Sequence, residues 1–273
     1  MRHEADLEGE YPTLVEFDGP DDPDFPQNWK LTLKVWVTFV ITILNLIGTI
    51  GTSIFGTGKE EFMHAFNISR EVAVLGTTLF LVGYIFGFLL FGPLSERFGR
   101  KWPLLVGVAM SSIFDLMPVL GKDIATVLIG RFLGGLFGVA PIAVFGGVVS
   151  DCWPLVHRGI AMALVVSLVF SGPTFGPIFG GFIMGSPSFN WRWTMWVLVI
   201  IGLSVSALCV FVYPETYPPA ILRAKARSLR KKTGNRDIRT ASDKEGTGLK
   251  ELTSTYLVRP FLTRKPLINT GVR

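Results

Sequence analysis

Little in this sequence is suited to covalent or metal chemistry. Two cysteines and three histidines among 273 residues are too few for a disulfide scaffold or a clustered His/Cys metal site. Cys152 falls at a predicted cytoplasmic helix end and Cys209 inside a predicted span, positions that do not favour a disulfide, so both are read as plain thiols. No glycine-rich loop ends in a Lys-Ser/Thr pair to cradle a phosphate, and no nucleophile stands beside a base, so ATP-driven pumping, hydrolysis and enzyme activity are not expected. No cofactor is expected either. Charge is also scarce, at 17% of residues. The apolar runs lack the period-two alternation of a β-barrel. The first run follows a polar stretch of about thirty residues, with no basic start and no small-residue cleavage site, so it is a retained span rather than a signal peptide.

What the chain does have is apolar length. Hydrophobic residues make up 49% of it, mean hydropathy is +0.46, and six runs at about 33–55, 72–91, 103–120, 124–149, 159–184 and 191–213 each approach the roughly 20 residues that cross a bilayer. The lipid bilayer is therefore the first partner. Short turns at 121–123 and 185–190 predict spans three and four, and five and six, as antiparallel neighbours. The polar leader 1–30, with Phe17-Asp18-Gly19-Pro20-Asp21-Asp22-Pro23-Asp24, reads as an extended tail. Trp29, Trp102, Trp191, Trp193 and Tyr213 stand at span ends and read as headgroup anchors. After Pro214 the chain turns basic, and 219–232 reads as a short amphipathic helix offering Ile221, Leu222 and Leu229 to a membrane surface.

Net charge is +5, and its placement reports orientation. Arg97, Arg100 and Lys101 lie between spans two and three, Arg158 between four and five, and a dense basic group at 223–239 follows span six. The intervening segments 56–71, 121–123 and 185–190 are poor in Lys and Arg, which predicts both termini of a multi-pass protein on the cytoplasmic side; the plasma membrane is the expected location. The basic group is read as a headgroup anchor and not as a nucleic-acid site. Asn67-Ile68-Ser69 in the predicted first outer loop has the form of a glycosylation acceptor.

Polar groups inside the spans carry the functional argument. Arg131, about eight residues into span four and so about 12 Å deep, either faces a cavity or partner on a substrate or proton pathway or snorkels to the surface. Asp115 in span three lies at nearly the same depth. It either pairs with Arg131, directly or through water, and carries a coupling proton, or faces headgroups. Asn45 in span one is available for a substrate hydrogen bond or a helix contact. In span five, Gly172, Gly176 and Gly180 recur every fourth residue as a smooth helix face, while Pro173 and Pro177 predict a bend.

Three motifs resemble those of the major facilitator superfamily. Gly92-Pro93-Leu94-Ser95-Glu96-Arg97-Phe98-Gly99-Arg100-Lys101 is similar to its signature loop, with Ser95 and Glu96 in the usual Ala and Asp positions. Gly130-Arg131-Phe132-Leu133-Gly134-Gly135 resembles its Arg-x-x-Gln-Gly element, with Gly134 in place of Gln. Gly172, Gly176, Pro177, Gly180 and Gly181 match its antiporter element at every defined position. Together with Asn190-Trp191-Arg192-Trp193 and Pro214-Glu215-Thr216-Tyr217-Pro218-Pro219, they make the chain resemble the fungal twelve-span multidrug and polyamine carriers over about 17–240.

The resemblance implies an all-α membrane protein, the amino-terminal six-helix half of a major facilitator fold: leader 1–30, membrane half 31–213, basic loop 214–273. It implies proton-driven export of small amphipathic or cationic molecules, drugs or polyamines. Gly92, Glu96, Arg97, Gly99, Arg100 and Asp151 would serve as gating residues, Lys101 as an orientation anchor, and Arg131 as the proton-coupling group. A second half is expected beyond the approach to a seventh span at Leu257-Val258-Arg259-Pro260-Phe261, so transport is expected to need that half or a second copy. The alternatives are a truncated, non-transporting remnant or interaction partner, and an importer of a small metabolite.

Overall fold

The computed structural model describes residues 14–234 and 238–240. The approach to a seventh span lies outside them. The chain divides into two compact units. One comprises Met1–Glu16 with Ala226–Arg273, the other Phe17–Lys225. In the first, β1 (Leu14–Val15) pairs in parallel with β2 (Arg239–Thr240), and Arg230 Nε donates to the Ile238 carbonyl at 2.6 Å.

The second unit holds six helices long and apolar enough to cross a membrane. Span one is α1 (Leu31–Ser53), which runs through a 3-10 turn (Ile54–Gly58) into α2 (Lys59–Phe66). Span two is α3 (Arg70–Phe98); span three is α4 (Lys101–Phe114) with α5 (Leu116–Leu120). Span four is α6 (Ile124–Gly138) with α7 (Ala140–Cys152), and spans five and six are α8 (Leu155–Met184) and α9 (Arg192–Val212). A further helix, α10 (Pro218–Thr233), follows span six.

The interruptions have local causes. Pro118 and Pro141 lack the N–H that would bond the carbonyls of Phe114 and Phe137, and the helices break at Asp115 and Val139 just beyond those carbonyls. Asp123 caps α6 by accepting from the Thr126 N–H at 2.8 Å. Asn67, of the glycosylation-type triplet, closes α2 in the left-handed conformation at φ 50°.

Four expectations are corrected. The segment 56–71 is no open loop: α2 folds back so that Phe62 is fully buried, with ring centroids 5.2 Å from Phe55 and 5.0 Å from Trp191. Trp191 and Tyr213 are therefore core residues rather than headgroup anchors, whereas Trp102 and Trp193 are exposed. Spans five and six are not close-packed neighbours; α8 lies against α1, and α9 against α4. Pro173 and Pro177 both lie inside α8, a continuous helix of 30 residues.

The leader is the fourth. From Phe17 onward it folds around Asp22, whose carboxylate accepts the N–H groups of Asp18 and Asp24, each at 2.8 Å. Asn28 Nδ2 donates to the carbonyls of Pro20 and Asp22. Lys225 Nζ closes the turn at 2.7 Å from Asp18 and 3.6 Å from Asp22. Short polar side chains saturate the backbone of a turn with no hydrophobic core, a device that composition does not reveal.

Candidate functional site

Arg131 on α6 is fully buried, and the structure gives its charge a cage. Nε donates to the Gly76 carbonyl of α3 at 3.0 Å and Nη2 to the Gly51 carbonyl of α1 at 2.9 Å. Both rings flanking the guanidinium are close, Phe80 at 4.1 Å and Phe55 at 5.0 Å from ring centroid to Cζ. Nη1 stands 3.8 Å from Asp115 Oδ1 and 3.8 Å from Met195 Sδ. The surface-snorkelling alternative is thus not what the structure shows.

Asp115 is 5% exposed and occupies the break between α4 and α5. Its Oδ1 accepts no hydrogen bond. The carboxylate has room because residue 134 is glycine: a Cβ there would lie 2.8 Å from Oδ1. A cavity of about 20 Å³ adjoins it, lined by Ser111, Ser112, Gly48, Gly51 and Gly138 among others, enough for one water beside a polar wall. Tyr84 closes the neighbourhood, its hydroxyl donating to the Gly48 carbonyl at 2.8 Å. Asn45 is also fully buried; Nδ2 bonds the Ile41 carbonyl of its own helix at 2.8 Å, and Oδ1 has no partner.

At the basic end, Arg100 is the organising residue. Its Nε meets Asp151 Oδ2 at 3.1 Å, Nη1 donates to Ser95 Oγ at 2.7 Å, and its guanidinium lies 4.9 Å from the Tyr217 ring centroid. Ser95 in turn bonds the Gly92 carbonyl at 2.8 Å. Gly99 takes φ +92°, open only to glycine at low cost. Sequence reasoning missed Glu215: its carboxylate accepts the backbone N–H groups of Arg100, Lys101, Thr216 and Tyr217 at 2.8 to 3.2 Å. The signal was the carboxylate of the Pro-Glu-Thr-Tyr-Pro-Pro stretch after span six, which the sequence reading used only as a family marker. Glu96 and Arg97, expected as gating residues, form no ion pair among the described residues; Arg97 lies over the Phe98 ring at 5.4 Å. Glu215 rather than Glu96 is the carboxylate that fixes this loop. Burial raises the Tyr217 phenol above its usual pKa, against the lowering field of Arg100.

The third assembly is the α1–α8 seam. Gly172, Gly176 and Gly180 are buried against Thr49, Ser53 and Thr57, in that order, so closely that a Cβ on any of the three would overlap the facing hydroxyl. The hydroxyls bond carbonyls of their own helix, which lets them act as small surfaces. Pro177 and Gly181 lie on the other, exposed side of α8, and nothing stands within 4 Å of a Cβ at Gly181. Cys152 and Cys209 are both buried and free.

A six-helix membrane unit with a caged arginine in span four and a glycine-hinged basic loop invites comparison with known carriers, and residues 41–270 match the pattern of the Major Facilitator Superfamily. The chain belongs to this superfamily. An MFS-type transporter of Aspergillus oryzae is 43% identical over 94% of this chain and 51% of its own length. A citrinin biosynthesis cluster MFS transporter of Monascus ruber is 37% identical over 93% and 52%. An efflux pump of Gibberella fujikuroi is 36% identical over 91% and 51%. The chain thus spans about half the length of the curated relatives it matches. Among solved structures, a major facilitator proton:xylose symporter aligns with a TM-score of 0.63 over 84% of this chain and 53% of that one, at 19% identity, which speaks to the fold.

Proposed function

We propose that this major facilitator chain forms the amino-terminal half of a proton-coupled exporter of small amphipathic molecules, of the drug or polyamine kind, driven by a proton gradient and working against a second half or second copy. The observation that carries this reading is the buried Arg131–Asp115 pair. An ion pair far from either end of a membrane bundle is costly and marks an ion or substrate path. Arg131 keeps its charge through carbonyls and rings, so Asp115 is free to take up and release a proton without dismantling the cage. Relatives named as an efflux pump and as a biosynthesis-cluster transporter favour outward movement of small organic molecules over import. Arg100, Asp151 and Glu215 would hold the basic end closed in one state of the cycle, with the cytoplasmic side at that end.

The test is transport by this chain joined to a carboxy-terminal half in vesicles with an imposed pH gradient. Substrate efflux should follow the gradient, and Asp115→Asn should transport with its pH dependence flattened. Wild-type efflux indifferent to the gradient, or Asp115→Asn with an unchanged pH profile, would sink the coupling assignment.

A further inference from the structure

At its basic end the second unit carries a closed circuit of polar contacts that takes in the leader. Arg100 and Lys101 stand at the start of α4, where helix N–H groups have no acceptor within the helix, and the Glu215 carboxylate takes both, at 2.8 and 3.2 Å. The Arg100 side chain reaches the other way, to Asp151 near the end of α7. Beside Asp151, the Ser150 carbonyl accepts from Gln27 Nε2 of the leader at 3.5 Å, and the 3-10 turn Pro26–Asn28 lies against α7. Lys34 Nζ, on the first turn of α1, bonds the Gln27 carbonyl at 2.7 Å.

The first half of α10 closes the circuit. Glu215 precedes that helix by three residues and fixes its entry through the N–H groups of Thr216 and Tyr217. From Pro218 the helix carries the chain about 10 Å at 1.5 Å per residue to Lys225, whose Nζ meets the carboxylates of Asp18 at 2.7 Å and Asp22 at 3.6 Å. Asp22 is buried and bonded to the backbone of its own turn, and the Phe17 ring meets Phe25 edge-on at 5.1 Å. The leader turn is thus folded in its own right and touches both α7 and α10.

The joints of the circuit are unequal. Glu215 and Asp22 bond backbone N–H groups, and the Arg100–Asp151 pair is largely shielded, whereas the Asp18 side chain is 83% exposed. An exposed ion pair is weak and screened by salt. Lys225 with Asp18 is the joint that opens first.

We propose that the leader turn is a strap that tightens the Arg100 loop through α10, with the Lys225–Asp18 contact as its releasable joint. The coupling between leader and loop stands without the carrier reading. Its use as a brake on opening at the basic end rests on that reading.

The experiment is hydrogen exchange of the full chain in detergent, resolved to single amides. Lys225→Met should lower protection of the Arg100 and Lys101 amides about fivefold, the ratio that ~1 kcal/mol gives, and Asp18→Asn should do the same. Lys225→Arg, which keeps the charge, should retain it. Coupling is reciprocal, so Glu215→Gln should lower protection of the Asp18 and Asp24 amides in turn. Lys232→Met, exposed in the last turn of the same helix, should change neither set. A circular-dichroism melt shows whether each variant is folded; if Lys225→Met does not fold, Asp18→Asn carries the comparison.

Loss of protection confined to the leader in Lys225→Met, with Arg100 and Lys101 unchanged, would overturn the strap. So would an equal loss from Lys232→Met, or leader amides indifferent to Glu215→Gln. Vesicle efflux with the joined halves reads the carrier assignment separately: coupled amides without gradient-driven efflux would remove the carrier reading alone, and efflux with uncoupled amides would remove the strap alone.

Discussion

Asp115 and Gly134 form one unit. The carboxylate fills the space that any side chain at 134 would take, so the polar partner of Arg131 comes from span three instead of from its own helix. Gly134→Leu should expel Asp115 from beside Arg131 and should therefore mimic loss of the acid in a transport pH profile. Stability should separate the two members of the pair. Arg131→Met strands a buried carboxylate and should cost about 3–5 kcal/mol in denaturant unfolding in detergent. Asp115→Asn should cost clearly less, because the guanidinium keeps both carbonyls and both rings. Equal losses would mean that the cage does not hold Arg131 by itself. The depth of Arg131 and Asp115 was legible from residue counting. Their distance was not, because it depends on the break that Pro118 places just past Asp115. Glu215 stood in a recognisable stretch, but its role in holding the loop was illegible for a related reason: its partners are backbone N–H groups, which no sequence pattern displays.

At the scale of the element, the seam of α8 makes an asymmetric prediction. Gly176→Val drives a branched side chain into Ser53 of α1 and should lower the melting temperature by several degrees, since overpacking typically costs about 1–3 kcal/mol. Gly181→Ala, on the open side, should be neutral or slightly stabilising, because alanine improves helix propensity by up to about 1 kcal/mol. A melt in which both variants behave alike would remove the seam as the reason for the four-residue spacing. The spacing itself was readable, being a consequence of helical periodicity. The partner was not: short turns suggested α9, but the hydroxyl row of Thr49 and Ser53 on α1 and Thr57 in the following 3-10 turn offers the matching small surface.

For the molecule as a whole, six spans, helical class and family could be read from hydropathy and three motifs. The ordered leader could not, because a turn held by carboxylate-to-backbone bonds resembles, in composition, a tail without structure. That turn has a definite pH window. The N–H groups of Asp18 and Asp24 hold the Asp22 carboxyl below its usual value of 3.8, so its contribution is present above the unfolded value and is lost as pH falls through the depressed folded one. Lys225 is raised above 10.5, first by its hydrogen bond to Asp18, so its contribution persists below that range and fades as pH climbs past it. Protection of the Asp18 and Asp24 amides from hydrogen exchange, taken relative to the free-chain rate at each pH, should hold across neutral pH and be lost only in strong acid. Absence of protection at pH 7 would mean that the turn is not held in this way.

The seam between spans one and five also sets a timetable. Gly172 follows Thr49 by about 120 residues, so at about 5–20 residues per second a ribosome leaves α1 without its main neighbour for on the order of ten seconds. During that interval the hydroxyl row faces lipid or whatever insertion factor shelters it. A nascent chain halted after span four should therefore be retained by membrane quality control, and release should begin once span five has emerged.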